Sequence, residues 1–249
     1  MKKKMIAGNW KMNGDVATAL DIIAGITDAA NQSQHDVVIA PPFVYLSLAA
    51  EKILSSKIQL GAQNLADQEV GAYTGEISAK MLADVGCQYV LVGHSERRQL
   101  YGETDLLVAQ KTILALENGL VPILCVGETL EERESNQWKD VITTQLLSVV
   151  DHCGIDAFKN IIVAYEPVWA IGTGKSASAD IANEVHEFIY YTLSCKSDNI
   201  RPSLKVLYGG SVTAENSAQY MSQEYIDGVL VGGASLKPSV FSEIIRSVE

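Results

Sequence analysis

Six short polar clusters hold the side chains best suited to chemistry, and each directly follows an apolar run. Asn9 and Lys11 flank Trp10 at the end of run 5–10. His94, Ser95, Glu96, Arg97 and Arg98 follow run 89–93. Glu128 follows Cys125-Val126-Gly127, and Glu166 follows Ala164-Tyr165. Gly209-Gly210-Ser211 and Gly232-Gly233-Ala234-Ser235 close the last two runs. Together these are a carboxylate for moving a proton, an imidazole for polarising a carbonyl, an ammonium for an anion, and glycines that let backbone amides approach a phosphate.

The spacing sharpens each reading. A strand alternates its side chains, so Asn9 and Lys11 point one way and Trp10 the other, against a helix layer. Ser95 is placed to cap a helix, without a capping box because Arg98 stands three residues on. A helix amino terminus disfavours positive charge, which would keep His94 neutral and able to donate a hydrogen bond. Glu96, Arg97 and Arg98 read as a supporting ion-pair cluster, with Glu128 a structural partner of Arg97 or Arg98. Glu166 precedes Pro167, Val168, Trp169, Ala170, Ile171, Gly172, Thr173, Gly174 and Lys175, a stretch with an apolar middle and small residues at its far end. Such a stretch suits a flap; closing beside a carboxylate, it would expel water and raise the base strength. Either Gly-Gly pair alone is a tight-turn signal; two together fit a phosphate cradle beside a helix start.

Eight apolar runs must position these clusters: 5–10, 37–40, 58–63, 89–93, 121–126, 161–165, 205–208 and 228–231, with starts 21 to 44 residues apart. They are apolar on both alternations, as parallel strands covered on two faces should be. The segments between carry helical periodicity. Ile181, Val185, Phe188 and Ile189 share one face of a helix over 178–193. Thr104 is placed to cap another helix, which Asn118-Gly119 would stop. No linker divides the chain, so residues 1–249 are expected to form one domain. The α/β pattern favours a closed (β/α)8 barrel, eight parallel strands ringed by helices, over an open doubly wound sheet. In both, ligands bind at the carboxyl ends of the strands, where the six clusters lie.

Composition narrows the ligands. Lys plus Arg number 19 against 30 Asp plus Glu, a net charge of −11. That argues against nucleic acid, which needs a basic footprint. No apolar run approaches a membrane span of about 18 residues. Met1-Lys2-Lys3-Lys4 imitates a signal-peptide start, but the apolar stretch after it is too short for export. Cys87, Cys125, Cys153 and Cys195 lie far apart and read as free thiols in a reducing, cytoplasmic compartment. With His35, His94, His152 and His186 they form no metal-binding spacing, so no metal is expected.

The clusters, in this order, resemble the triosephosphate isomerase family over essentially the whole chain. The resemblance rests on Gly8-Asn9-Trp10-Lys11-Met12-Asn13, Gly93 through Arg98, Cys125 through Thr129, Ala164 through Lys175, Tyr208 through Val212 and Val231 through Leu236. It implies a TIM barrel that interconverts dihydroxyacetone phosphate and D-glyceraldehyde 3-phosphate, in glycolysis and gluconeogenesis, without cofactor or metal. Carried over, Glu166 is the base, His94 the electrophile, and Lys11 and Asn9 hold substrate and developing charge. Gly172, Ser211, Gly232 and Gly233 bind the phosphate, residues 167–175 form the lid, and Ser95, Glu96 and Glu128 support the site. The resemblance also implies a homodimer in which loop 68–76, with Tyr73 and Thr74, enters the neighbour near Met12. Tyr73 stands where many members carry Phe.

Two rivals remain at this point. A phosphate-binding barrel aldolase would use Lys11 as a Schiff-base amine. A barrel kept only for binding would be expected to lack Lys11, His94 or Glu166, and all three are present.

Overall fold

Parallel strands β1 (Met5–Asn9), β2 (Asp36–Ala40), β3 (Ile58–Ala62), β4 (Tyr89–Val92), β5 (Val121–Val126), β6 (Ile162–Tyr165), β7 (Lys205–Tyr208) and β8 (Gly228–Val231) pair in sequence order. β8 then pairs with β1, Met5 opposite Gly228, and the barrel closes. This settles the choice between barrel and open sheet. The computed structural model describes residues 3–170 and 176–248. Each expected run matches its strand to within one residue at either end: β2 begins one residue earlier, at Asp36, and Trp10, Gln63, Gly93 and Ile161 fall just outside.

Two apolar layers explain why the runs lack a polar alternation. Met5, Ala7, Val38, Leu91, Ile123, Cys125, Ile162, Ala164, Leu207 and Leu230 pack together in the barrel interior. The intervening residues, among them Ile6, Ile39, Val90, Leu124, Val163, Tyr165, Val206 and Val231, belong to the second core shared with the helices. Trp10 is buried in that outer layer, as its alternation predicts.

The helices are α1 (Val16–Gln32), α2 (Leu46–Ile53), α3 (Ala79–Val85), α4 (Ser95–Tyr101), α5 (Asp105–Glu117), α6 (Leu130–Glu134), α7 (Trp138–Cys153), α8 (Ala179–Ser194), α9 (Ala214–Met221) and α10 (Pro238–Arg246). Local chemistry sets many starts. Thr104 Oγ1 accepts from Leu107 N–H at α5, and Ser178 Oγ from Ile181 N–H at α8. Thr129 and Glu132 form a reciprocal capping box at α6. α5 stops at Asn118, and Gly119 follows with φ +75°.

Candidate active site

The barrel's register selects the residues of its mouth. One step of two beyond interior Ala7, Ala164, Leu207 and Leu230 lie Asn9, Glu166, Gly209 and Gly232. All four line a cavity of about 520 Å³, with Lys11, His94, Gly210, Ser211, Gly233 and others. β4 departs from the pattern. Gly93 adopts φ +69°, and His94, not residue 93, lines the cavity. A Cβ on Gly93 would also press within 2.8 Å of Val108, so glycine is required there twice over.

Glu166 and His94 meet directly. Their Oε1 and Nε2 atoms are 3.0 Å apart, and Glu166 Oε2 accepts from Ser95 N–H at 2.8 Å. Burial would raise the carboxyl pKa, but His94 and the Ser95 amide outweigh it and hold Glu166 below the ordinary value. Burial opposes charge on His94, while the Glu166 carboxylate outweighs burial and raises its pKa. Glu96 N–H donates to Nδ1 at 3.2 Å, which requires a lone pair there. The neutral ring with hydrogen on Nε2 therefore satisfies both bonds. Two expectations change. The cap of α4 is His94 itself, Ser95 being the first helical residue. And the helix terminus does not act alone on the ring, because Glu166 pulls the opposite way.

Lys11 is held from three sides. Its φ is +52°, uncommon for a side chain with a Cβ. Asn9 Oδ1 accepts from its N–H at 2.9 Å, and Gln63 Nε2 donates to its carbonyl at 2.8 Å. Gln63 also donates to Ala40 O at 2.8 Å, tying the ends of β1, β2 and β3 together. Lys11 Nζ donates to Glu96 Oε1 at 2.6 Å. The expected ion-pair cluster is thus divided: Glu96 serves Lys11, Arg97 pairs with Glu103 at 2.6 Å, and Arg98 with Asp105 at 2.5 Å. Gln63 was not foreseen; a polar residue just past β3 was its only signal.

The glycine pairs divide in the same way. A Cβ on Gly233 would meet nothing within 4 Å, and one on Gly232 only Lys11 Cε at 3.5 Å, so both face open cavity. Gly209 instead gives room to Glu166, whose Cγ would lie 2.9 Å from a Cβ there. At Gly210 a Cβ would overlap the Tyr208 hydroxyl, and at Gly127 the Glu166 carbonyl oxygen. The 209–210 pair lines the cavity and also makes packing room, Gly209 beside Glu166 and Gly210 beside Tyr208.

Glu128 does not pair with Arg97 or Arg98. Its fully buried Oε1 accepts from Tyr165 OH and Trp169 Nε1, both at 2.9 Å, and Arg133 is its nearest cation at 3.8 Å. Burial outweighs these donors and raises its pKa. Val168 N–H also donates to Glu128 O at 3.1 Å, and Ser211 Oγ to Ala170 O at 3.1 Å, so 167–170 is pinned at its base. Tyr220 OH donates to Ala177 O at 2.6 Å on the far side. Ile171, Gly172, Thr173, Gly174 and Lys175 lie outside the described residues.

Comparison with known proteins agrees with this arrangement. The family model described as Triosephosphate isomerase matches residues 4–248. A triosephosphate isomerase of Alcanivorax borkumensis is 52% identical over 98% of this chain and 98% of its own. One of Hydrogenovibrio crunogenus is 50% identical over 99% of this chain and 98% of its own, and one of Colwellia psychrerythraea 46% over 100% and 98%. The chain belongs to the triosephosphate isomerase family. The segment that the resemblance to triosephosphate isomerases assigns to subunit contact is strongly exposed. Met12 is 93% accessible and Tyr73 48%, Thr74 is exposed beside it, and Val44, Val70 and Met81 add further uncovered apolar surface.

Proposed function

We propose that the chain interconverts dihydroxyacetone phosphate and D-glyceraldehyde 3-phosphate through an enediolate, as its family name implies. The observation that carries this is a base and a hydrogen-bond donor, Glu166 and His94, lining one cavity with Lys11 and with Gly232-Gly233, where an added Cβ would face open space.

A proton beside a carbonyl is weakly acidic, so removing it demands a base and stabilisation of the developing oxyanion. Glu166 takes the proton from one carbon and returns it to the next. His94 donates its Nε2 hydrogen to the carbonyl oxygen, and the Lys11 ammonium and Asn9 offset the negative charge. For this Glu166 must leave His94 and Ser95. Losing those donors raises its proton affinity when the base is needed. Closure of 167–175, with Gly172 and Ser211 meeting the phosphate, would exclude water and protect an enediol that can otherwise eliminate phosphate. Protons move between adjacent carbons with no net oxidation, so the chemistry calls for no redox cofactor or metal. Lys11 is engaged with Glu96, which disfavours the free amine that a Schiff-base aldolase requires.

The exposed apolar residues around Met12 and Tyr73 support a homodimer with loop 68–76 seated on the partner. The free cysteines fit a cytoplasmic setting, and the acidic balance fits neither a nucleic-acid nor a membrane partner. A coupled assay with glyceraldehyde 3-phosphate, with and without chelator, tests the activity. Turnover insensitive to chelator is expected. Absence of turnover, or borohydride trapping of substrate on Lys11, would overturn the reading.

A further inference from the structure

The cavity holds a charge problem. Its substrate under the reading above is a phosphate dianion, and the chain carries −11. Among the described lining residues, Lys11 and Lys237 are the cations, and Glu166 and Glu215 the carboxylates. Lys11 is already committed to Glu96. Lys237 makes no side-chain ion pair or hydrogen bond among the described residues. Without it the lining would be net negative, in an acidic protein that must attract an anion.

The position of Lys237 is otherwise unfavourable. It is the cap residue at the amino terminus of α10, between the turn Gly233–Leu236 and Pro238. It makes no side-chain cap bond. A cation there opposes the helix dipole, where Ser, Thr, Asp or Asn would cap better. A residue poorly suited to its helix, next to Gly232-Gly233-Ala234 on the cavity wall, is explained by the cavity.

We infer that Lys237 is a steering residue. Its free ammonium at the phosphate side of the mouth draws in the dianion and passes it to the Gly232-Gly233 amides and Lys11, and it takes no part in proton transfer. This rests on the isomerase reading for its substrate.

The test uses the full-length protein as Lys237→Gln, Lys237→Ser and Lys237→Arg. kcat/KM and kcat are measured against ionic strength, with inorganic phosphate as competitive inhibitor. For the Gln and Ser variants, kcat/KM is expected to fall about three- to tenfold at low salt with kcat kept, since steering acts on association. The salt dependence should flatten and phosphate inhibition weaken. Lys237→Arg should restore all three. Lys237→Ser supplies a better cap, so its melting temperature should be unchanged or raised, separating capture from folding. An unchanged salt slope and phosphate inhibition would overturn the inference, as would a loss of kcat that Arg does not rescue. If the wild-type protein fails to isomerise triose phosphates, the function above fails instead. Calorimetric phosphate binding by wild type and Lys237→Gln then decides the role of Lys237 by itself.

Discussion

Glu166 and His94 are each other's hydrogen-bond partners, Oε1 to Nε2 at 3.0 Å, on the wall of the cavity they are proposed to serve. A substrate must therefore part them. In the proposed reaction its carbonyl oxygen accepts the hydrogen bond from the imidazole, and the carboxylate is left facing carbon. The contact stores the base in a weakly basic form, because its own catalytic partner holds the pKa down. Substrate binding and activation of the base become one event.

Glu166→Gln should cut kcat by about 10²- to 10⁴-fold, the usual worth of a positioned general base. The amide oxygen can still accept from Ser95 N–H, so the fold should survive, and inhibition by inorganic phosphate should change by no more than a few-fold. Steady-state kinetics with phosphate inhibition checks both. Near-wild-type turnover would point to another base. Glu128, the neighbouring carboxylate, is a poor substitute, since Tyr165 and Trp169 occupy it and it does not line the cavity.

The glycines separate binding from folding. A Cβ on Gly232 faces the cavity and meets only Lys11 Cε, at 3.5 Å. Gly232→Asp should fold, yet raise KM at least tenfold, about 1.4 kcal/mol, by placing a carboxylate against the phosphate and beside Lys11. Gly127→Ala should instead fail to accumulate as soluble protein, because its Cβ would collide with the backbone of Glu166. Unchanged KM in the first variant would move the phosphate elsewhere. A stable, active second variant would refute the packing argument.

What the sequence conveyed depended on range. The strands were legible because interior and outer layers both demand apolar side chains, as in Cys125-Val126 and Ala164-Tyr165. Asn9 and Glu166 were legible because period two carries that alternation to the end of β1 and just past the end of β6. Contacts across the barrel were not. No local pattern tells that Glu96 turns to Lys11 while Arg97 turns to Glu103, or that Glu128 meets Trp169 instead of Arg97. The cap of α4 misled for a related reason: serine is the better intrinsic cap, but the turn at Gly93 shifts the chain by one residue and gives the place to His94.

Tyr73→Asp tests the expected assembly. Tyr73 lies on a loop whose glycines Gly71 and Gly75 both have positive φ, and a Cβ on Gly71 would press on the tyrosine ring. The wild-type protein should sediment near twice its chain mass of 26.9 kDa, and the variant should shift towards monomer, because a buried unpaired charge is costly. An unchanged sedimentation coefficient at micromolar protein would mean that this loop is not the contact.

His186 predicts the acid limit of the fold. It is fully buried on α8, with Nδ1 3.2 Å from Tyr225 O and the Tyr165 ring edge-on at 5.9 Å. Burial pushes its pKa down to about 4 from 6.5; Asp227 opposes that shift and Lys4 adds to it. Above pH 6.5 the ring is neutral in both folded and unfolded chains. As pH falls towards 4 only the unfolded chain takes up this proton, so folding loses stability across that window, by about 3 kcal/mol at 1.36 kcal/mol per unit. His186→Asn keeps a donor for Tyr225 O but cannot titrate. Urea unfolding at pH 7 and pH 4.5, at one protein concentration, should show a smaller acid loss in the variant. Equal losses in the two proteins would mean that the acid sensitivity lies in other groups.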